Sequence, residues 1–104
     1  MTENTATEGL DQLDRVMAAL AHPLRRQVLL VLHFRGGEMG AGDIAERFSC
    51  SWPTTSRHLR QLEESGLVSV RRDGRQRIYV LERELLTNTL GNWLHWFKGN
   101  VRPK

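Results

Sequence analysis

Between Gly66 and Leu81 the spacing of apolar residues changes from three and four to two. Val68 and Val70 alternate with Ser69 and Arg71, Asp73-Gly74 follows, and Arg77, Ile78, Tyr79 and Val80 form a second β-rich run. Asp-Gly between two such runs is the strongest short-range hairpin signal. A two-stranded ribbon is expected here, with Arg72 and Arg75 flanking its tip.

The remainder of the chain reads as helix. Leu10, Leu13, Val16, Met17 and Leu20 form one apolar stripe at helical spacing, so a first helix is expected over about 10–20. Pro23 suits the first turn of a second helix, because its missing N–H would be unpaired there anyway. That helix runs to about Phe34 and is ended by Gly36-Gly37; its run Val28 to Leu32, apolar on every side, predicts a central place in the core. Ala41, Ile44, Ala45 and Phe48 support a short third helix. Ser51 is a good N-cap for a fourth, with Pro53 in its first turn and Gly66 as a left-handed C-cap. Its inward side is Thr55, Leu59 and Leu62, and its outward side is polar and mostly basic. Glu82 to Lys98 reads as a last helix of about 17 residues, about 25 Å long.

At 104 residues the chain suits one domain, with about a third of its unfolded-state surface still exposed after folding. The domain is expected over 9–98, between flexible tails at 1–8 and 99–104. Uninterrupted apolar runs such as Val28 to Leu32 are far short of a membrane span. Met1 to Gly9 holds no basic segment followed by an apolar stretch, so a cytoplasmic location is expected. Cys50 is the only cysteine, which excludes an intrachain disulfide and multi-cysteine zinc frames. The net charge is +3, but it is local: residues 52–77 carry six arginines against three acids. Thirteen of the 15 basic residues are arginine, a bias that suits bidentate contact with phosphate and guanine or simply reflects a GC-rich coding sequence.

Four helices, a basic hairpin and a fifth helix make a mainly α, α+β winged helix-turn-helix. The stretch Leu24-Arg25-Arg26 with Val28-Leu29 and Leu32, then Gly42-Asp43-Ile44-Ala45, then Ser51 to Leu62 with Thr54, Ser56-Arg57-His58-Leu59 at fixed places, then Gly66-Leu67-Val68 with Arg71-Arg72, Arg75, Tyr79 and Leu81, resembles the ArsR/SmtB family of bacterial repressors. The likeness covers about 10–98. It implies a homodimer that binds double-stranded DNA, placing the helix 51–65 in the major groove and the wing against the backbone. Zinc-type sensors of that family carry ligands at places that here hold Arg83, Leu85, Trp96 and Gly99, and a Cys-x-Cys site falls on Gly40 and Gly42. No metal site and no cofactor are therefore expected, and the effector is left open.

A helix enters the ~12 Å major groove when small and donor side chains line its outer face near the N-terminal end. Trp52, Pro53, Thr54, Ser56, Arg57, His58 and Arg60 have that composition, with Arg57 placed for a guanine and Arg60 for phosphate. Arg71, Arg72, Arg75 and Arg77 of the wing suit backbone contact, although charge on a hairpin also protects its edges. Leu86, Leu90, Trp93 and Phe97 form one stripe of the last helix, with Leu94 and Trp96 outside it. One small domain cannot cover so wide an apolar surface; pairing with Leu10, Leu13 and Met17 across a two-fold axis would. Ser56 and His58 point about 200° apart on a helix, so they make no nucleophile and base pair, and no enzyme is expected. The alternatives are a winged-helix interaction module without DNA binding, or a regulator sensing a metal, a small molecule or oxidation at Cys50. His95, between two tryptophans, is either an interface residue or a switch; His22 and His33 have no partner at recognisable spacing.

Overall fold

The computed structural model describes residues 2–98, with side chains from Asp11 onward. Its order is α1 (Thr2–Leu20), α2 (Pro23–Phe34), β1 (Glu38–Gly40), α3 (Ala41–Arg47), α4 (Trp52–Glu64), β2 (Val68–Asp73), β3 (Gln76–Leu81) and α5 (Arg83–Leu94), which tightens into a single 3-10 turn over His95–Phe97. The helix-turn-helix and wing stand where the periodicity puts them.

Three boundaries differ from expectation. The first helix begins at Thr2, so residues expected as a tail continue it; Leu10 and the expected tail 99–104 lie outside the described side chains. The last helix gives way to the 3-10 turn at His95, as helix ends commonly do where no capping glycine follows at once. A third strand, β1, joins the ribbon, giving an antiparallel sheet in the order β1-β3-β2. Its three residues are too few for any period to register.

The core forms where α1, α2, α3 and α4 meet the sheet. Val16, Leu32, Ile44, Leu59, Leu62 and Leu67 are fully buried. Val28 and Leu29 join them, but Leu30 does not: it is 56% exposed and lies with Phe34 on the outer face of α2. The apolar run therefore overstates how central that helix is. The C-terminal carbonyls of α1 are met by arginines from the next helix: Arg25 Nε donates to Ala19 O at 2.6 Å and Arg26 to Leu20 O at 2.7 Å. Cations at this end also complement the helix dipole.

Two glycines set the geometry around the wing. Gly66 follows α4 with φ +87°, and an added Cβ would lie 3.0 Å from Leu85 Cδ1. Gly74 takes φ +66° at the hairpin tip, where Asp73 pairs with Gln76, so the central turn residues are Gly74-Arg75 and not Asp73-Gly74. Glycine first with a single positive φ fits a type II′ turn. Gly74→Ala should cost about 1 kcal/mol, since only the backbone is strained. Gly66→Ala should cost about 2–3 kcal/mol because the same strain is joined by a clash with Leu85. Denaturant midpoints of the two variants check that order.

Candidate nucleic-acid interface

Helix α4 is fixed by its inner face. Thr55, Leu59 and Leu62 are buried, which turns Pro53, Arg57, Arg60 and Gln61 outward. Its first turn is closed by Ser51, whose hydroxyl accepts from Thr54 N and donates to Thr54 Oγ1 at 3.1 Å. Trp52, Pro53, Arg57 and Arg60 are exposed; Thr54, Ser56 and His58 are half-buried on the flanks.

His58 faces back into the protein. Arg25 Nη1 lies 3.2 Å from its Nδ1, and the His22 ring packs 4.4 Å away, centroid to centroid. A guanidinium has no acceptor, so Nδ1 accepts and Nε2 carries the proton of the neutral ring. Burial, then the nearby His22, Arg25 and Arg57, hold the His58 pKa below the ordinary histidine range. His22 itself caps α2, its Nδ1 accepting from Leu24 N, and His33 Nδ1 accepts from Arg83 Nε at 3.3 Å. Both histidines thus have partners: His22 has a local one in Leu24 and the distant ring of His58, and His33 has one on α5.

The wing changes character along its length. Val68, Val70, Tyr79, Leu81 and Met39 share one face, and the next pair outward on that face is Arg72 opposite Arg77. Like charges directly opposite are destabilising, so nothing in the isolated fold favours this pair. Arg75 occupies the tip, and Arg72, Arg75 and Arg77 are all exposed. Arg71 differs: it is paired with Glu38 of β1, the only ion pair among the described residues. Sequence reading missed Glu38 for the same reason that it missed β1. It also missed Arg25, for which the N-terminal Pro23 was a usable signal, since it places residues 22–26 at the start of a helix.

A second surface lies on α1 and α5. Leu86 and Leu90 pack against the core, Leu13 is half-buried, and Met17 (39%), Trp93 (40%) and Leu94 (46%) are partly exposed. Trp96 and Phe97 are 71% and 70% exposed, and Phe97 stacks edge-on against Trp93 at 5.1 Å. Nearby, Leu20, Leu29, Leu30, Leu81 and Leu86 line a groove of about 460 Å³ between α2 and α5. No three His, Cys, Asp or Glu side chains converge among the described residues, and no helix there is long and apolar enough to cross a membrane.

Residues 20–71 match a family described as a helix-turn-helix domain. The chain is 38% identical over 82 residues to the transcriptional repressor SdpR of Bacillus subtilis, covering 79% of this chain and 88% of that one. It is 35% identical over 75 residues to an arsenical resistance operon repressor of Staphylococcus xylosus, covering 72% and 70%. A crystal structure of an ArsR family transcriptional regulator superposes with a TM-score of 0.73 at 30% identity, over 86% of this chain and 95% of that one. The chain belongs to the ArsR family of transcriptional regulators. The solution structure of the homodimeric winged helix-turn-helix DNA-binding domain of a Mycobacterium bovis protein, described as a possible ArsR-family transcriptional regulator, matches with a TM-score of 0.68 at 27% identity, over 91% of this chain and 90% of that one. As an ArsR-family member the chain is a regulator and not an enzyme.

The His58 arrangement has a pH signature. Unfolded chains take up the histidine proton near pH 6.5, whereas the folded site resists it to lower pH, so the unfolded state binds more protons in between. Stability should therefore be full above about pH 7.5 and decline as the pH falls through 6.5. Denaturation midpoints at pH 7.5 and 5.5 check this: the decline should be smaller in His58→Gln than in the natural chain.

Proposed function

We propose that this chain is a homodimeric repressor that occupies promoter DNA, with an α4 helix from each protomer in successive major grooves of a pseudo-palindromic site. The observation that carries the reading is the pairing of a fully buried inner stripe on α4 with an outer face of Pro53, Arg57 and Arg60, beside a wing whose opposed Arg72 and Arg77 have no carboxylate partner among the described residues. Phosphate would relieve that repulsion.

In this reading Arg57 reads a guanine edge, with Thr54 and Ser56 on base edges or phosphate and Trp52 and Pro53 against a thymine methyl or sugar, while His58, held by Arg25, supports the helix from behind. Arg60 and the wing arginines 72, 75 and 77 hold phosphate, and Arg71 braces the wing through Glu38. The domain over 9–98 supplies both DNA contact and dimer contact. A second copy covers Leu13, Met17, Trp93, Leu94, Trp96 and Phe97, with Leu86, Leu90 and the groove between α2 and α5 beside them. The M. bovis domain, itself homodimeric, supports that assembly. Arg83, Leu85, Trp96 and Gly99 stand where the family's zinc sensors carry ligands, so binding is proposed to be metal-independent, in the cytoplasm.

The test is selection of duplexes from a random pool by the purified protein, followed by titration of the enriched duplex. Binding should weaken steeply with salt, each phosphate contact adding about 0.9 to the log-log slope, and should be unchanged by zinc or a chelator. Arg57→Ala should lose about 1–3 kcal/mol on the enriched duplex and little on random DNA, whereas Arg75→Ala should weaken both alike. A flat salt response would instead favour an interaction module that does not bind DNA.

The double variant Trp96→Ser, Phe97→Ser tests the assembly. It removes two side chains that each offer about 150–250 Å² for burial. Sedimentation should show a dimer for the natural chain and a monomer for the variant at micromolar concentration; a variant that stays dimeric refutes this surface.

A further inference from the structure

Arg25 sits where three elements meet. Its Nε donates to Ala19 O at 2.6 Å and its Nη2 to Ala18 O at 3.2 Å, both carbonyls of the last turn of α1. Its Nη1 donates to Nδ1 of His58 on α4 at 3.2 Å. One rigid planar group therefore spans the end of α1, the start of α2 and the middle of α4. His22, from the α1–α2 corner, packs its ring against that of His58, 4.4 Å between centroids. No carboxylate pairs with Arg25 among the described residues, so its hydrogen bonds run to carbonyls and a ring nitrogen only.

We propose that Arg25 is a positioning residue for DNA reading, its guanidinium clamping α4 to the C-terminal end of α1 and so fixing the angle between the helix that reads DNA and a helix of the dimer surface. The inference rests on the function proposed above and adds a residue outside both surfaces. Its chemistry follows from the donor set. Lysine keeps the charge but cannot reach two carbonyls and a ring nitrogen with one planar fork. Protonation of His58 at Nδ1 removes the acceptor and places a cation against Arg25, with His22 and Arg57 the other titratable or charged groups beside it. A direct phosphate contact by His58 predicts tighter binding on acidification; the clamp predicts looser cognate binding.

The experiment uses the full chain, the duplex enriched by selection from random DNA, and a random duplex of equal length. Arg25→Lys should weaken the enriched duplex about tenfold at pH 7.5 while random-duplex binding stays within twofold, so their ratio falls. In the natural chain the same ratio should fall severalfold from pH 7.5 to 5.5. In His58→Asn, whose amide oxygen stands two bonds from Cβ as Nδ1 does and can accept in its place, it should hold at both values. If Arg25→Lys does not fold, His58→Leu takes its place with the same expected loss of ratio. An unchanged ratio in Arg25→Lys or His58→Leu, equal losses on both duplexes, or a natural-chain ratio that stays level or rises on acidification overturns the clamp alone. Failure to enrich any duplex overturns the DNA reading on which it rests.

Discussion

Three inward side chains of α4 determine what the rest of its surface can do. Thr55, Leu59 and Leu62 occupy the core shared with Leu32 and Ile44, and burial of that stripe fixes the rotation of the helix about its own axis. A rotation by one residue would move the stripe by about 100° and bring charged side chains into the core, where ions are costly to desolvate. Arg57 and Arg60 face outward because leucines face inward. The orientation of the basic face thus depends on apolar packing and needs no partner to be set.

The charge pattern has a complementary logic. The fold uses some of its arginines on itself: Arg25 and Arg26 at the end of α1, Arg71 on Glu38, Arg83 on His33. Those on α4's outer face and the outer wing have no described carboxylate, and Arg72 and Arg77 face one another. Exposed ion pairs contribute little to stability, so leaving these cations unpaired costs the fold little and leaves them available.

Much of this architecture was legible from spacing. The N-cap Ser51, the left-handed Gly66, the hairpin and the inner stripe of α4 each follow from local chemistry that a single segment carries. What escaped reading depends on contacts between segments. Strand β1 exists because Glu38 to Gly40 find an edge on β3, forty residues away in sequence. His58 looked outward-facing on a helical wheel, yet Arg25 and His22 draw its ring inward from another helix. The unbroken apolar run of α2 predicts a helix central in the core, but that helix keeps an outer side, and Leu30 is on it. The surface on α5 was legible as an excess of apolar area, while its tight final turn was not.

The register of β1 carries a mechanical corollary. It spans only Ile78 to Val80 of the neighbouring strand, so the sheet is three strands wide near the body and two strands wide from Arg77 outward. Bending stiffness drops at that step. A ribbon built this way has its crease beside Arg77, so bending there would carry Arg72, Arg75 and Arg77 together as a short paddle, while the buried Tyr79 and Leu81 stay anchored. In the DNA-bound arrangement proposed above, such a paddle would follow local variation in groove width without disturbing the packing behind it.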